Sequence, residues 1–139
     1  MEQQQTEAQR LERISQGIIG ACIEVHRHLG PGLLESTYSE CVCDEFLRRG
    51  IAYRREVFVP LFYKGKPLNT GYKIDLLVED SVVVELKAVV KLDRNIHVAQ
   101  LLTYLKVTDL KWGLLINFCA PLLKDGIRRV IRIPRYSSR

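Results

Sequence analysis

After a polar start, apolar residues recur at helical spacing. Leu11, Ile14, Ile18, Ala21, Cys22 and Val25 return every three or four positions between about Ala8 and His28, which predicts an amphipathic helix. Gly17 and Gly20 lower its intrinsic propensity and point to a close approach by another element. Gly30-Pro31-Gly32 breaks the chain, and a second helix is expected from Leu34 to Arg49, ended by Gly50. Arg55 to Tyr63 is rich in β-branched and aromatic residues and reads as a strand, followed by a turn at Lys64-Gly65-Lys66-Pro67. Tyr72 to Val78 and Val82 to Lys87 read as two more strands, joined at Glu79-Asp80-Ser81. A third helix covers about Asn95 to Val107. The next strand, Lys111 to Phe118, is apolar on both faces and therefore central, and Ile127 to Ile133 reads as an edge strand. The order is helix, helix, three strands, helix, strand, strand. A meander followed by a crossover helix gives a mixed sheet flanked by helices, an α/β layer structure. No repeat or linker interrupts it, so one domain over 1–139 is expected, with about residues 1–10 disordered.

The strand Val82 to Lys87 holds residues that its pattern does not call for. Its first half is apolar on both faces, then Glu85 and Lys87 appear on one face. Buried charge is costly unless it is paired or bound to a metal. In the preceding strand, Tyr72, Ile74, Leu76 and Val78 take one face, and Asp75 and Leu77 the other. If the apolar faces align, Asp75 shares a face with Glu85 and Lys87. That alignment demands an odd number of residues in the loop, because a shift of one residue flips every side chain. A three- or five-residue loop around Glu79-Asp80-Ser81 is therefore expected, with Asp80 at positive φ. Two carboxylates and a lysine on one face suit phosphodiester hydrolysis with a hard cation such as Mg²⁺. The plainer reading is a Glu85–Lys87 ion pair at a strand end.

Composition narrows the class. The chain of 139 residues is 47% hydrophobic, enough for one core. No run of apolar residues is long enough to span a bilayer, and the polar start lacks the apolar middle of a signal peptide. Membrane association is not expected, and a cytoplasmic location is. Cys22, Cys41, Cys43 and Cys119 show neither zinc-finger spacing nor a clustered iron–sulfur set, and read as free thiols. The net charge of +5 is compatible with a nucleic-acid partner. Basic residues gather at Arg48-Arg49, Arg54-Arg55, Lys64 and Lys66, and again from Arg128 to Arg139. Ordinary solubility explains such charge equally well.

Asp75, followed after a hairpin by Glu85-Leu86-Lys87, resembles the signature of the PD-(D/E)XK nuclease superfamily, with Ile74 where the name has proline. Gly32-Leu33-Leu34-Glu35-Ser36-Thr37-Tyr38 resembles the motif that names the GxxExxY protein family. Gln100-Leu101-Leu102-Thr103-Tyr104 is similar to the Gln-x-x-x-Tyr motif of the branch holding recombination exonucleases and CRISPR-associated nucleases. The resemblance runs from about Ile18 to Arg132. It implies a restriction-endonuclease-like core and a Mg²⁺- or Mn²⁺-dependent nuclease acting on nucleic acid, DNA in the first instance. Asp75 and Glu85 would be metal ligands, with Glu35 reaching the metal from the second helix. Lys87 would be the catalytic lysine, and Gln100 and Tyr104 would flank it and hold it or the nucleic-acid backbone. From the residues alone, Tyr104 and Tyr38 are equally core aromatics, and Glu35 a first-turn acid complementing the helix dipole. His97 shares the helical face of Gln100 and Tyr104 and reads as structural. The alternative function is a non-catalytic nucleic-acid-binding or protein-interaction module that retains the fold. A homodimer or a partner protein is compatible with so short a nucleic-acid track.

Overall fold

The computed structural model describes residues 4–133. Helix α1 (Glu7–Leu29) starts at Thr6, whose hydroxyl accepts from the Gln9 N–H while the Gln9 side chain accepts from the Thr6 N–H. This reciprocal cap contributes on the order of 1 kcal/mol. Residues 7–10 are thus helical, not the disordered start expected there; residues 1–3 lie outside the described residues. Helix α2 (Glu35–Arg49) follows the Gly30–Leu34 turn and ends at Gly50.

The strand expected from Arg55 to Tyr63 is two elements. Strand β1 (Tyr53–Phe58) stops before Pro60, which has no N–H to give a ladder. Beyond it, β2 (Phe62–Tyr63) pairs with β3 (Lys66–Pro67) in a small separate hairpin. Its two turn residues, Lys64 and Gly65, both have positive φ, the geometry a two-residue hairpin favours. Strands β4 (Lys73–Val78) and β5 (Val82–Lys87) follow, then helix α3 (Arg94–Thr108), β6 (Trp112–Asn117), a short 3₁₀ turn over Leu123–Gly126, and β7 (Ile127–Ile131).

The sheet order is β1-β4-β5-β6-β7. Only β5 and β6 run parallel, and α3 is their crossover. Helices α1 and α2 cover one face. There Leu11, Ile14, Ile18, Cys22 and Val25 meet Tyr38, Val42 and Phe46 above Leu76, Val78, Val82, Val84, Leu114 and Ile116. Helix α3 covers the other face, burying Leu101, Tyr104 and Leu105 on Leu77, Val83 and Leu115. Gly113 in β6 makes that contact possible. A Cβ there would lie 2.9 Å from the Leu101 side chain, so any larger residue would force Leu101 to shift.

The alternation in β4 departs from the expected one at a single place. Ile74 packs with Leu77 on the α3 side instead of with Leu76 and Val78. The break is centred on Asp75. In β1, Glu56 sits between the residues paired to Leu76 and Ile74, and its φ of 51° takes it out of the regular pleat. The sheet is therefore twisted where the candidate chemistry lies.

All four cysteines are free thiols, and burial pushes the Cys22 thiol up to about 12, consistent with an inert core residue. Among the described residues, no helix is long and apolar enough to cross a membrane. Arg135 and Arg139 of the basic tail lie outside the described residues.

Candidate active site

The β4–β5 hairpin sets the geometry. Leu76 pairs with Val84, Leu77 with Val83 and Val78 with Val82, which leaves a loop of three residues, Glu79, Asp80 and Ser81. Glu79 and Asp80 have φ of 53° and 52°, and the Ser81 N–H closes onto the Val78 carbonyl at 3.0 Å. The odd loop count puts Asp75 opposite Glu85.

At that point the backbone ladder gives way to side chains. The Asp75 N–H donates to Glu85 Oε2 at 2.9 Å, and the Leu86 N–H donates to Asp75 Oδ2 at 2.9 Å. Each carboxylate thus uses one oxygen to satisfy a backbone N–H, and the second oxygen has no hydrogen bond among the described residues. Glu85 is only 4% exposed. Burial, and then the Asp75 charge, push its carboxyl up to about 8, while the Asp75 N–H and Lys87 pull the other way. Burial raises Asp75 as well, against the Leu86 N–H and Lys87.

Glu35 arrives from the other layer. As the first residue of α2 it is exposed as a residue, but shielding of its carboxyl raises its pKa, with Asp75 adding to the rise and Lys87 opposing it. The Ala88 backbone N–H also faces this carboxyl. The turn that delivers Glu35 is braced from below. The wholly buried Tyr38 donates its hydroxyl to the Gly30 carbonyl and accepts from the Leu33 N–H at 3.2 Å. Its ring stacks on Phe118 with centroids 4.4 Å apart. Gly32 supplies a φ of 102° that side-chain-bearing residues avoid. Nearby, His26 Nε2–H donates to the Ala120 carbonyl at 2.9 Å, tying the end of α1 to the loop after β6. The spacing of the glycine, glutamate and tyrosine in this motif is thus a local folding unit with Glu35 at its tip.

A cleft of about 350 Å³ lies over these groups, lined by Glu35, Ser39, Arg55, Glu56, Asp75 and Leu86 among others. A larger depression at Lys91–Asn95 carries one carboxylate, Asp93, which is committed to capping α3 through the Ile96 N–H. The cleft thus brings Glu35 and Asp75 together at its wall, while Glu85, Lys87, Gln100 and Tyr104 are not among its lining residues. From α3, Tyr104 is buried close enough to Glu85 and Asp75 for both to act on it, and burial with those charges pushes its hydroxyl up to about 12. Gln100, one turn earlier, is half-buried, with no hydrogen bond to Asp75, Glu85 or Lys87 among the described residues. Lys87 lowers the pKa of all three carboxylates, so its ammonium serves the whole cluster.

Two further residues lie near the site, one that reads as structural in the sequence and one that its pattern does not single out. His97 acts on Glu35, and its Nδ1 is buried without a partner among the described residues. Its spacing from Gln100 and Tyr104 was the available signal. Asn117 pairs with Lys87 across β6 and pins the chain just beyond it. Its Oδ1 accepts from the Val89 and Cys119 N–H groups, and its Nδ2 donates to the Val89 carbonyl. The signal was a polar residue ending an otherwise apolar strand.

Among the described residues, no group of three or more His, Cys, Asp or Glu side chains converges closely enough to form a ready-made metal cage. The donor chemistry nonetheless fits a hard divalent cation. The two carboxylates adjoin, each offers an unbonded oxygen, and burial raises the pKa of both, a cost that a bound cation would offset.

No curated protein and no solved structure matches the chain. A family model described as the PD-(D/E)XK nuclease superfamily matches residues 12–130, from the first turns of α1 to the edge strand. With a five-stranded mixed sheet, flanking helices and an Asp75/Glu85/Lys87 hairpin under that match, the chain belongs to the PD-(D/E)XK nuclease superfamily.

Proposed function

We propose that this protein is a Mg²⁺- or Mn²⁺-dependent nuclease that hydrolyses DNA phosphodiester bonds, and that it belongs to the GxxExxY branch of its superfamily. The observation that carries the reading is the paired carboxylate bonds where the β4–β5 ladder ends, the Asp75 N–H on Glu85 Oε2 and the Leu86 N–H on Asp75 Oδ2. Asp75 and Glu85 would hold the cation, with Glu35 completing the set from α2. When bound, the metal supplies an activated water and stabilises charge on the phosphate. Lys87 orients that water and neutralises the phosphate oxygens. Tyr104 and Gln100, on α3, flank the lysine and position it or the nucleic-acid backbone. Tyr38 acts through Glu35 by fixing the turn that presents it. We place the protein in the cytoplasm as one nuclease-like domain spanning the chain. A second copy or a partner protein would lengthen its track on DNA.

A second reading, a nucleic-acid-binding or protein-interaction module without turnover, is favoured by the lack of a preformed three-ligand cage among the described residues. The test is cleavage of labelled single- and double-stranded DNA with Mn²⁺ by wild type and Lys87→Ala. Cleavage by wild type alone is expected. Equal cleavage by both would remove the chemistry from this site. No cleavage by either, with salt-sensitive binding retained, would favour the module.

A further inference from the structure

Four aromatic rings stand in solvent on one short stretch between the end of β1 and the start of β4. Phe58 is 53% exposed, Phe62 63%, Tyr63 62% and Tyr72 43%. Rings so exposed add little to the core and carry a solubility cost, so their placement calls for an occupant. The same stretch, residues 57–74, contains no aspartate or glutamate but does contain Lys64, Lys66 and Lys73. None of these lysines forms an ion pair among the described residues. The Lys64 ammonium lies 5.4 Å from the Tyr63 ring centroid, so charge and ring are presented together.

The stretch adjoins the carboxylates. Phe58 pairs with Lys73, and the Val59 N–H donates to the Tyr72 carbonyl at 2.9 Å, carrying the sheet past Asp75. Tyr72 is three residues along the strand from Asp75, about 10 Å at the usual rise. It is also near enough to Tyr104 to act on its hydroxyl. The β2–β3 hairpin follows three residues after Phe58, and Phe62 and Tyr63, adjacent in β2, present one ring on each side of it.

We propose that Phe58, Phe62, Tyr63 and Tyr72, with Lys64, Lys66 and Lys73, form a stacking platform that binds single-stranded nucleic acid and leads it to Asp75 and Glu85. This rests on the nuclease reading for its direction toward the site, but not for binding itself. Rings accept unpaired bases face to face, and lysines follow the phosphates between them. Bases in a duplex are already stacked on one another and cannot reach the rings, so the platform discriminates for single strands. Three lysines without an ion pair and no acid on this stretch favour an anionic partner, and the rings beside them favour one that carries flat bases.

The experiment is fluorescence anisotropy in EDTA with a short labelled oligonucleotide and its duplex, using the full chain. Wild type is compared with Phe62→Ala/Tyr63→Ala and with Lys64→Gln/Lys66→Gln. Removing the two rings is expected to weaken single-strand binding at least about tenfold and duplex binding much less. The melting temperature should hold, because both rings are exposed. Removing the two lysines should lower the salt slope by about 0.7 per lysine. Unchanged single-strand binding in both variants overturns the proposal, as does wild type that binds no single strand. A ring variant that loses a dimer in sedimentation and keeps its DNA affinity also overturns it, making the surface a self-interface. Loss of binding in the variants, with no Mn²⁺-dependent cleavage by wild type, keeps the platform and removes the nuclease. Lys87-dependent cleavage with no change in binding does the reverse.

Discussion

At its closed end the β4–β5 hairpin is a run of paired aliphatic residues, Leu76 with Val84, Leu77 with Val83 and Val78 with Val82, all buried. One position further on stand the half-buried Asp75 and the buried Glu85, and each satisfies a backbone N–H with its own carboxylate. The two ends share strands and adjoin in the ladder, yet one is built for cohesion and the other concentrates like charge. The comparison teaches that burial alone does not decide whether a carboxylate is tolerated here. What differs is the twist at Glu56 and Asp75, which opens the ladder so that side chains can replace backbone partners. Lys87 and Asn117 then fix the strand just beyond.

The sharpest way to break this comparison is to move the charge by one residue. Val84→Asp puts a carboxylate on the α1–α2 face among Leu76, Val78 and Leu114, with no N–H or cation provided for it. The expected cost, on the order of 4 kcal/mol or more, is comparable to the whole stability of many domains. No cooperative thermal transition should be seen by circular dichroism. A folded variant melting near wild type would show that the sheet accepts charge anywhere, and the special role of the open end would fall.

The reverse substitution sharpens it. Glu85→Gln keeps an acceptor for the Asp75 N–H but removes a buried charge that faces Asp75 and Glu35. In metal-free buffer near pH 9 the variant should melt a few degrees above wild type. Its cleavage with Mn²⁺ should fall by at least about 100-fold. A lower melting temperature would mean that the carboxylate stabilises the hairpin and is not a functional strain on it.

Much of this contrast could be read from the sequence, because period-two patterning is strict about faces. The valines of β5 and the aliphatics around Asp75 allowed only an odd loop, and Glu79-Asp80-Ser81 is one. The helical period of α1 was equally plain, since Leu11, Ile14, Ile18, Ala21, Cys22 and Val25 all face the core. Local twist was not legible. Nothing in the pattern of β4 says that Ile74 changes sides, because the cause is the φ of Glu56 on a neighbouring strand. The split of the first strand was hidden by aromatic residues that suit a sheet but stand in solvent here, although Pro60 marked the place. A lone histidine on a mostly apolar helix reads as structural, and the effect of His97 on Glu35 joins residues far apart in the sequence, which no single segment encodes. Glu35 was legible only through its motif, and the Tyr38 hydrogen bonds supply the physical reason for that motif's spacing.

The smallest effect belongs to a carboxylate whose situation is opposite to that of Glu85. Glu12 on α1 accepts from both Arg129 guanidinium nitrogens of β7, at 2.7 and 3.0 Å, near the surface. Those bonds, led by the Arg129 contact, hold its carboxyl below the ordinary carboxylate range. A depressed pKa in the fold means stability that is present above the unfolded value and is lost as pH falls through the folded one. Glu12→Gln should therefore destabilise the fold slightly near pH 7, by no more than about 1 kcal/mol given the solvent around both partners, and the melting temperature should fall a little. Near pH 3 the gap between variant and wild type should narrow. Added salt should narrow it too, because the pair is partly exposed. The same chemical change thus carries opposite signs at two places in one chain. At Glu85 it relieves a buried charge without a cation of its own, and at Glu12 it removes a charge already paired. If both substitutions moved the melting temperature the same way, the difference between the two carboxylates would not lie in their electrostatic surroundings, and the strain assigned to the open end of the hairpin would have to come from packing instead.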